Sequence, residues 1–357
     1  MNKMKIFVIN PGSTSTKLAV YEDETPIWTK SVHHPVEELA VFQSVSEQYE
    51  YRKEFIVRTL SEAGIPLAFD AVIARGGLLK PTPGGVYAVN ERMKHDLIYA
   101  EKEHASNLGA LIADELSRVC NCPAYIADPV VVDERMPEAR LTGIPGMERI
   151  SIFHALNSKA VSRKYAASVD KRYEDLNLIV VHLGGGISVS AHRKGLVVDV
   201  NNALDGDGPF SPERAGTVPA GQLAELCFSG KYSLRQVKKM LSGGGGLNGH
   251  LGETDMIAIA AKAEAGEEPY KGVLDAMMYT VAKETGSRYV ALRGQVDAII
   301  LTGGIAHSKY CVSVLKGWID YLAPIVLMPG EDEMGSLAYN ALGALKNELE
   351  LQVYRPE

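Results

Sequence analysis

The chain has 357 residues, of which 46% are hydrophobic and 23% are charged, and its formal net charge is −7 at pH 7. This composition is typical of a globular protein of about two domains and excludes the low-complexity and disordered classes. The negative net charge also argues against nucleic-acid binding, since nucleic-acid-binding domains usually carry a basic face.

Short β-branched runs alternate with longer amphipathic segments, a pattern typical of mixed α/β layers. In chain order, strands are predicted at residues 5–9, 18–21, 71–74, 124–126, 178–182, 187–191, 298–301 and 325–328. Helices are predicted at residues 106–119, with Ser106 as the N-cap, and at residues 152–166. We expect the boundary between two domains near residue 150, after a turn-rich segment.

Two parts of the sequence repeat each other. Residues 4–23 and residues 178–194 both run from an apolar stretch, through a turn rich in glycine and hydroxyl residues, into a second apolar stretch. A second repeat links FDAVIARGG, which ends at Gly77, to VDAIILTGG, which ends at Gly304. Such a duplication predicts two similar lobes that present backbone amides to one shared polyanion, a nucleotide, across a cleft.

The sequence shows no sign of export or membrane insertion. Its first apolar run is too short for a secretory signal and is broken by Pro11 and Gly12. No apolar stretch approaches the roughly 18 residues that a membrane helix needs. The four cysteines contain no CxxC pair and are expected to be reduced thiols. We therefore expect a cytoplasmic protein that binds neither membrane nor nucleic acid.

Residues 199–255 are the least regular part of the chain. They contain a loop rich in glycine, aspartate and proline, followed by a run of four glycines that ends at Gly246. Loops of this length inside a compact domain are usually functional or disordered, and the apolar anchors among these residues favour function. The flexibility of the glycine run is expected to serve closure of the lobes around a phosphoryl group.

INPGSTSTK, at residues 9–17, predicts a strand that enters a phosphate-binding turn. It lacks the second glycine of a P-loop, and no other segment completes GxxxxGK[ST]. HLGGGISV, at residues 182–189, likewise lacks the third glycine of a dinucleotide-binding fingerprint. A solvated hairpin tip is the alternative for either turn, but the presence of two copies favours phosphate binding.

Five motifs in fixed order carry a family resemblance: INPGSTSTK, SIFHALNSKAV, HLGGGISV, the loop that ends in PFSPERAGTVP, and ILTGGIAHS. Together they resemble the short-chain acyl kinases, the acetokinase family within the acetate and sugar kinase, actin-like superfamily. GGLLKPTPGG, HASNLGA, ADPVVVDE and NNALDGDGPFSPERAG are similar to the butyrate-kinase branch of that family. The resemblance spans nearly the whole chain.

The resemblance implies an α/β fold, a duplicated actin-like ATPase (ribonuclease H-like) fold of two domains with an interdomain cleft. Residues 1–150 with residues 335–357 are expected to form the N-terminal lobe, because the C-terminal helix returns to it. Residues 151–334 are expected to form the C-terminal, nucleotide-binding lobe. A homo-oligomer is also implied.

The resemblance further implies reversible, Mg²⁺-dependent transfer of the γ-phosphoryl group of ATP to butyrate or a branched short-chain acid, which gives an acyl phosphate and ADP. A carboxylic acid with a pKa near ~4 to 5 is already ionised at neutral pH, so no general base is required. Two like charges about 4 Å apart repel by ~1 kcal/mol in water and by ~4 kcal/mol at an effective dielectric of 20. The site must therefore supply arginine, Mg²⁺ and hydrogen-bond donors.

The resemblance assigns contacts with the transferring phosphoryl group to three residues. Arg214, in PERAG, is expected to stabilise the planar phosphoryl group in flight. His154 and His182 are expected to contact the same group. From the sequence pattern alone, a surface histidine near a helix start remains open for His154, and a hydrogen-bonded core histidine remains open for His182.

Arg75, before two glycines, is expected to bind the substrate carboxylate and to assist catalysis. The family places its arginine three residues upstream, where this chain has Val72. Asp128 is expected to lie near the metal and the phosphate, with a turn-forming role as the alternative. The family's metal-linked glutamate corresponds to Glu331 or to Glu333, because the spacing permits both alignments.

The remaining expected contacts concern ATP and the acid. His104 and Asn107 are expected to lie near the substrate acid together with Arg75, and helix capping and packing are the alternatives. The residues implied to bind ATP are Asn10, Gly12, Ser13, Ser15, Lys17, His182, Gly184, Gly185, Gly186, Gly303 and Gly304.

Several functions remain open at this stage. An acetate or propionate kinase is the alternative within the class, because two methylenes are worth only roughly 1.6 kcal/mol of apolar burial. A sugar kinase and a nucleotide-gated binding protein with weak ATPase activity are the alternatives from other classes. A sugar kinase would need a carboxylate base to accept a hydroxyl proton.

Overall fold

A computed structural model describes residues 3–100 and 103–356 of the chain. Internal contacts divide the chain into unit 1, Met1–Asp133 with Asp332–Glu357, and unit 2, Glu134–Glu331. The sequence placed these divisions at residues 150 and 334 instead. The first one lies earlier because the segment after Asp133 packs within unit 2, where the Met136 amide donates to the Val198 carbonyl (2.9 Å).

Twelve strands lie within the described residues. They are β1 Lys5–Pro11, β2 Ser15–Glu22, β3 Thr25–His33, β4 Ala71–Arg75, β5 Val86–Ala88, β6 Ala124–Ala127, β7 Asn177–Leu183, β8 Ile187–Arg193, β9 Leu196–Val200, β10 Ala298–Gly303, β11 Ile325–Pro329 and β12 Leu351–Val353.

The same part of the chain contains twelve α-helices and four single turns of 3₁₀ helix. The α-helices are α1 Val36–Leu39, α2 Tyr49–Glu62, α3 Glu91–Ile98, α4 Asn107–Cys120, α5 Ala155–Ser168, α6 Ala220–Phe228, α7 Leu234–Leu241, α8 Gly246–Leu251, α9 Met256–Glu264, α10 Tyr270–Ala291, α11 Lys309–Ile319 and α12 Glu333–Leu345. The 3₁₀ turns are Ser46–Gln48, Pro137–Ala139, Tyr173–Asp175 and Gly304–His307.

Each unit contains one mixed sheet, and the two sheets share a five-strand plan. In unit 1 the order is β12-β5-β6-β4-β1-β2-β3, and in unit 2 it is β11-β10-β7-β8-β9. In unit 1, β6, β4 and β1 are mutually parallel and β2 and β3 follow as antiparallel neighbours. In unit 2, β11, β10 and β7 are parallel and β8 and β9 follow in the same way. The predicted duplication is therefore confirmed.

The two repeated aspartates explain why FDAVIARGG and VDAIILTGG are alike. Asp70 accepts a hydrogen bond from the Lys5 amide (2.6 Å) and its own amide donates to the Lys5 carbonyl (2.7 Å). Asp297 makes the same two bonds with Asn177, both at 2.8 Å. Each aspartate thus joins the start of one parallel strand to its neighbour, β4 to β1 and β10 to β7.

The central strand of each sheet is buried on both faces. Residues 6–9 of β1 and residues 178–181 of β7 all have 0% exposure. Helices α4 and α12 pack on β1, while α5 and α10 pack on β7. Coverage on both faces requires continuous apolar runs rather than an alternating pattern, which is why these strands could be recognised in the sequence.

All eight predicted strands are confirmed, each extended by one to three residues at one end or at both. The pattern missed β3, whose residues are mostly exposed, as well as β9 and the three-residue strands β5 and β12. The prediction that a helix begins at residue 152 is wrong, because α5 begins at Ala155 and His154 is its N-cap residue. Ser106 does precede α4, but its hydroxyl pairs with His104 rather than capping the helix.

Across residues 3–100 and 103–356, no helix combines the length and the apolar character that crossing a bilayer requires. All four cysteines carry free thiols, as predicted.

Candidate active site

The repeated turns are the tips of two equivalent hairpins. In unit 1, β1 and β2 pair through Asn10 and Lys17, and the Gly12 amide closes the turn on the Ser15 carbonyl (2.7 Å). Ser13 and Lys17 are exposed, and Ser15 is partly exposed. Because paired residues and every second residue of a strand share a face, Asn10, Ser15 and Lys17 lie on one face of the hairpin.

Arg52 and His34 support this hairpin from its buried side, and the sequence pattern indicated neither. His34 is 2% exposed, and its Nε2 lies 2.9 Å from the Thr16 hydroxyl. Burial, assisted by the positive charge of Arg52, lowers the pKa of His34 to about 4. His34 is therefore neutral in the folded protein at any pH well above 4.

This lowered pKa predicts an acid-dependent loss of stability. The unfolded chain binds a proton at His34 below about pH 6.5, whereas the folded protein does so only near pH 4. The free energy of unfolding should therefore fall between those values by up to about 1.4 kcal/mol per pH unit. Chemical denaturation from pH 7.5 to 4 should show that the free energy of unfolding of the unaltered protein falls, as the pH falls, relative to that of His34→Gln. Curves that stay parallel over this range would contradict the prediction.

Asn10, Arg75 and Glu333 come together at the carboxyl ends of β1 and β4. The side-chain amide of Asn10 donates to Glu333 Oε2 (2.7 Å), and Arg75 Nη1 lies 3.3 Å from Glu333 Oε1. The parallel pairing of Ile9 with Ala74 makes the next residues of the two strands neighbours. Glu333 opens α12, where the helix dipole favours a carboxylate.

Val72 and Arg75 of β4 differ in their surroundings. Val72 is fully buried in the apolar core with Phe7 and Val20, whereas the Arg75 side chain is 26% exposed. A cation at position 72 would face an apolar core. Arg75 thus lies outside this core, and its contact with the substrate carboxylate stays a prediction.

His104 and Asn107 lie at the start of α4, beside the turn that follows Arg75. Asn107 Oδ1 accepts a hydrogen bond from the Leu78 amide (2.8 Å). A Cβ atom at Gly77 would approach Asn107 Cα to 2.6 Å, so glycine permits the helix to pack against this turn. Desolvation, followed by the charge of Arg75, lowers the pKa of His104. Asn107 holds the backbone after Arg75, and its contact with substrate stays a prediction.

Asp128 directly follows β6 in a left-handed conformation, with φ of 37°. Its Oδ1 accepts a hydrogen bond from the Gly85 amide (2.8 Å), and its own amide donates to the Gly85 carbonyl (2.9 Å). These bonds join Asp128 to Gly85, which precedes β5, and both the metal-linked role of Asp128 and its turn-forming alternative stay predictions.

In unit 2, His182 occupies the position equivalent to Asn10, at the end of β7, and is fully buried. The side-chain amide nitrogen of Asn157, on α5, lies 2.8 Å from His182 Nδ1 and donates to Thr302 Oγ1 (3.2 Å). Because an amide N–H can only donate, His182 Nδ1 accepts and the proton of the neutral ring lies on Nε2. That Nε2 lies 2.8 Å from Glu331 Oε1.

His154 stacks on His182 with ring centroids 3.7 Å apart and an angle of 6° between the planes. Its Nδ1 lies 3.0 Å from the Ser188 hydroxyl on β8. The structure therefore brings both predicted histidines together.

Arg214 lies against the glycine turn of β7 and β8. Its Nη1 donates to the Ala203 carbonyl, and any Cβ atom at Gly186 would collide with its guanidinium group. Burial lowers the pKa of Arg214, and the negative charge of the nearby Glu213 partly offsets this decrease. The adjacent Ser211 hydroxyl donates to the Gly185 carbonyl (2.6 Å). The loop and the turn, distant in sequence, thus pack directly against each other.

The glycine run packs beneath this loop. Gly246 has φ of 62°, and a Cβ atom there would collide with the Ser211 carbonyl. A Cβ atom at Gly245 would approach the Ala215 amide to 2.8 Å. These contacts give the run a packing role, whereas its predicted role in closure stays a prediction.

Gly303 and Gly304 follow β10. Gly303 has φ of 85°, and a Cβ atom there would come within 2.7 Å of the Leu183 carbonyl carbon, so the close approach of β10 and β7 requires glycine. At Gly304 the Cβ position faces open space within 4 Å. Contact of these two glycines with the adenine stays a prediction.

The candidate metal carboxylates each have a protein partner. Glu333 contacts Asn10 and Arg75, Glu331 contacts His182, and Asp128 contacts Gly85. Among the described residues, no three histidine, cysteine or acidic side chains gather into a metal-like cluster. Mg²⁺ takes one or two carboxylates together with phosphate oxygens and water, so a single glutamate fits an ion carried by a nucleotide.

Asn157 and Arg52 are the main site residues that the sequence interpretation missed. Asn157 lies three residues after His154 within SIFHALNSKAV, a spacing that places both on one side of a helix start and offered a signal. Arg52 lies in a charged helix, YEYRKEF, where an arginine reads as a solvated side chain. No local pattern distinguished it.

The sequence was compared with those of known proteins. A model described as the acetokinase family matches residues 146–319. A probable butyrate kinase of Phocaeicola vulgatus is 76% identical over 354 residues, 99% of this chain and 100% of that protein. One of Bacteroides thetaiotaomicron is 56% identical over 353 residues, with the same coverage of both chains.

The fold also matches a solved structure. Porphyromonas gingivalis acetate kinase has a TM-score of 0.77 and 17% identity, with 96% of this chain and 100% of that chain covered. The predicted duplicated α/β fold is therefore confirmed, and it is the fold of this acetate kinase. Since relatives far above 30% identity cover the whole chain, it belongs to the acetokinase family and is a short-chain carboxylate kinase.

Proposed function

We propose that this carboxylate kinase is a butyrate kinase, which transfers the γ-phosphoryl group of ATP to butyrate or a branched acid of similar length. The arrangement of Arg214, His154 and His182 around one glycine turn carries the proposal, because it concentrates cationic and donor groups where a phosphoryl group needs them. The names of the two relatives support the choice of butyrate.

In the proposed reaction, a carboxylate oxygen attacks the γ-phosphorus and the bond from that phosphorus to the ADP oxygen breaks. No proton moves, because the acid is already ionised. Arg214 stabilises the planar phosphoryl group, and the Nε2–H of His182 donates to one of its oxygens. Arg75 binds the carboxylate of the acid in exchange for Glu333. The Gly12–Ser15 hairpin of unit 1 and the Gly184–Gly186 hairpin of unit 2 each offer backbone amides to phosphate oxygens.

Mg²⁺ is part of this proposal. When bound, it would neutralise charge on the nucleotide phosphates, and Glu331 or Glu333 would hold it through a carboxylate oxygen. A homo-oligomer and a cytoplasmic location, both expected from the sequence, stay predictions.

The product identifies the reaction. With ATP, Mg²⁺, hydroxylamine and an acid, the purified protein should form the acyl hydroxamate, because hydroxylamine traps acyl phosphates. Two extra methylenes are worth roughly 1.6 kcal/mol, so kcat/KM for butyrate should exceed that for acetate by about tenfold. Isobutyrate tests tolerance of branching, and glucose is the control for a sugar kinase. ADP formation without hydroxamate from any acid would contradict the proposal, and a preference for acetate would favour the alternative within the class.

A further inference from the structure

Arg52 of α2 is a fully buried arginine that the proposed reaction does not use. Its Nη1 donates to the Gly12 carbonyl and its Nη2 to the Ser13 carbonyl, both at 2.8 Å. Nη1 also lies 3.4 Å from the Thr16 hydroxyl. Nε and Nη2 contact Gln48 Oε1 at 3.1 and 2.9 Å. The guanidinium is therefore bound to the turn of the first hairpin.

Every hydrogen-bond partner of Arg52 is a neutral oxygen. In residues 3–100 and 103–356, no carboxylate lies within ion-pair distance of it. Burial accordingly lowers its pKa. Buried charges are normally paired, because an uncompensated one is costly. A positive charge kept directly behind a turn is favourable when an anion binds on the other side of that turn.

The peptide geometry shows on which side of the Gly12–Ser15 turn an anion would meet backbone amides. In a trans peptide the C=O and the N–H of the next residue point in opposite directions. The carbonyls of Gly12 and Ser13 point toward Arg52, so the amides of Ser13 and Thr14 point away from it. Both of these residues are exposed. Two successive outward amides form the kind of concave nest that binds anions.

The carbonyls of the other two residues of the turn also accept hydrogen bonds. The Thr14 carbonyl accepts the His34 amide (2.8 Å), and the Ser15 carbonyl accepts the Gly12 amide (2.7 Å). Without Arg52, however, the two peptides that carry the outward amides would have no described partner for their carbonyls. Arg52 is thus the group that sets their orientation.

We propose that Arg52 is a positioning residue for anion binding at the Gly12–Ser15 turn, where it orients the Ser13 and Thr14 amides toward a phosphate and adds a buried positive charge behind them. That the phosphate belongs to a nucleotide rests on the proposed function. The residue touches neither substrate nor reacting atoms.

The test compares the affinities of the full-length protein for ligands that contain phosphate and for a ligand that does not. Titration calorimetry would give the affinities of ATP, of inorganic tripolyphosphate and of adenosine for the protein and for Arg52→Gln and Arg52→Lys. Arg52→Gln should weaken ATP and tripolyphosphate by about tenfold or more and leave adenosine within about twofold. Arg52→Lys keeps the charge but loses the two-pronged geometry, so its affinities should be intermediate. Arg58→Gln, an exposed arginine of the same helix, is the matched control and should change none of them.

Two results would overturn the inference: unchanged ATP affinity in Arg52→Gln, or equal losses for ATP and adenosine. If Arg52→Gln does not fold, Arg52→Lys decides by the same comparison. Hydroxamate formation by the unaltered protein separates this inference from the proposed function. A protein that makes no acyl phosphate but shows the selective loss of ATP affinity retains the Arg52 role and loses the butyrate kinase assignment. The opposite pattern removes only the Arg52 role.

Discussion

Replacing Arg214 with alanine should lower kcat by at least about two orders of magnitude while ATP affinity changes little. The guanidinium lies against the glycine turn beside His182, and part of its hydrogen-bonding capacity is used by the Ala203 carbonyl. Its remaining donors and its charge are most valuable when the phosphoryl group is in flight, because that is when charge spreads over the equatorial oxygens. A loss confined to kcat would identify stabilisation of the transition state.

Steady-state kinetics with ATP and butyrate, together with direct titration of ATP, measures both quantities. Arg214→Lys should recover only part of the rate, since lysine offers a point charge in place of a planar fork. Arg235→Ala removes an exposed arginine of α7 in the same unit and should leave kcat unchanged. An Arg214→Ala enzyme with the original kcat would refute the role assigned to Arg214.

Replacing Lys159 with methionine should destabilise unit 2 by about 3–5 kcal/mol. Lys159 Nζ lies 2.9 Å from Glu134 Oε1, and the two side chains are only 4% and 6% exposed. Lys159 also donates to the Gly195 carbonyl (3.2 Å), and Glu134 accepts from the Val197 amide (2.7 Å). Removal of the lysine takes away a buried positive charge 2.9 Å from this carboxylate, which accounts for the size of the effect.

Urea unfolding followed by circular dichroism would measure the loss. The double variant Lys159→Met/Glu134→Gln removes both charges and should recover much of the stability. Arg172→Met, which breaks an exposed pair with Asp175, is the surface control and should have no measurable effect. If Lys159→Met unfolds at the same urea concentration as the unaltered protein, the buried pair of Lys159 and Glu134 does not stabilise unit 2, and the prediction is wrong.

Lys159 also shows that one motif can serve two purposes. Within SIFHALNSKAV, His154 and Asn157 contact His182 and its neighbours, whereas Lys159 anchors α5 to the segment around Glu134. A resemblance in the sequence marks all of these residues together. Only the direction of each side chain separates the residues that contact the site from those that hold the helix in place.

The repeats allowed much of the fold to be predicted from the sequence. Continuous apolar runs marked β1, β4, β7 and β10, because the central strands of a sheet covered on both faces need no polar residues. Asp70 and Asp297 repeat because each closes the same pair of backbone hydrogen bonds. The strands that the sequence missed, such as β3 and β12, lie at sheet edges or span three residues, where solvent or shortness removes the periodic signal.

The two glutamates of MPGEDEM illustrate what spacing alone could not decide. Glu331 and Glu333 are two residues apart, and either one matched the resemblance. In the structure, Glu333 contacts Asn10 and Arg75 within unit 1, while Glu331 contacts His182 within unit 2. The difference arises because the chain passes from unit 2 to unit 1 between these residues.

By itself, the sequence determined the duplicated α/β plan, the two glycine hairpins and the presence of Arg214, His154 and His182, because each of these depends on local apolar runs, turns or motifs. Only the tertiary structure decided that Arg52 lies behind the first hairpin, that Asn157 sets the tautomer of His182, and that the glycine run packs under Arg214. Each of those contacts joins residues at least 25 positions apart. A local sequence pattern cannot predict which distant residue a buried polar group or a glycine will contact.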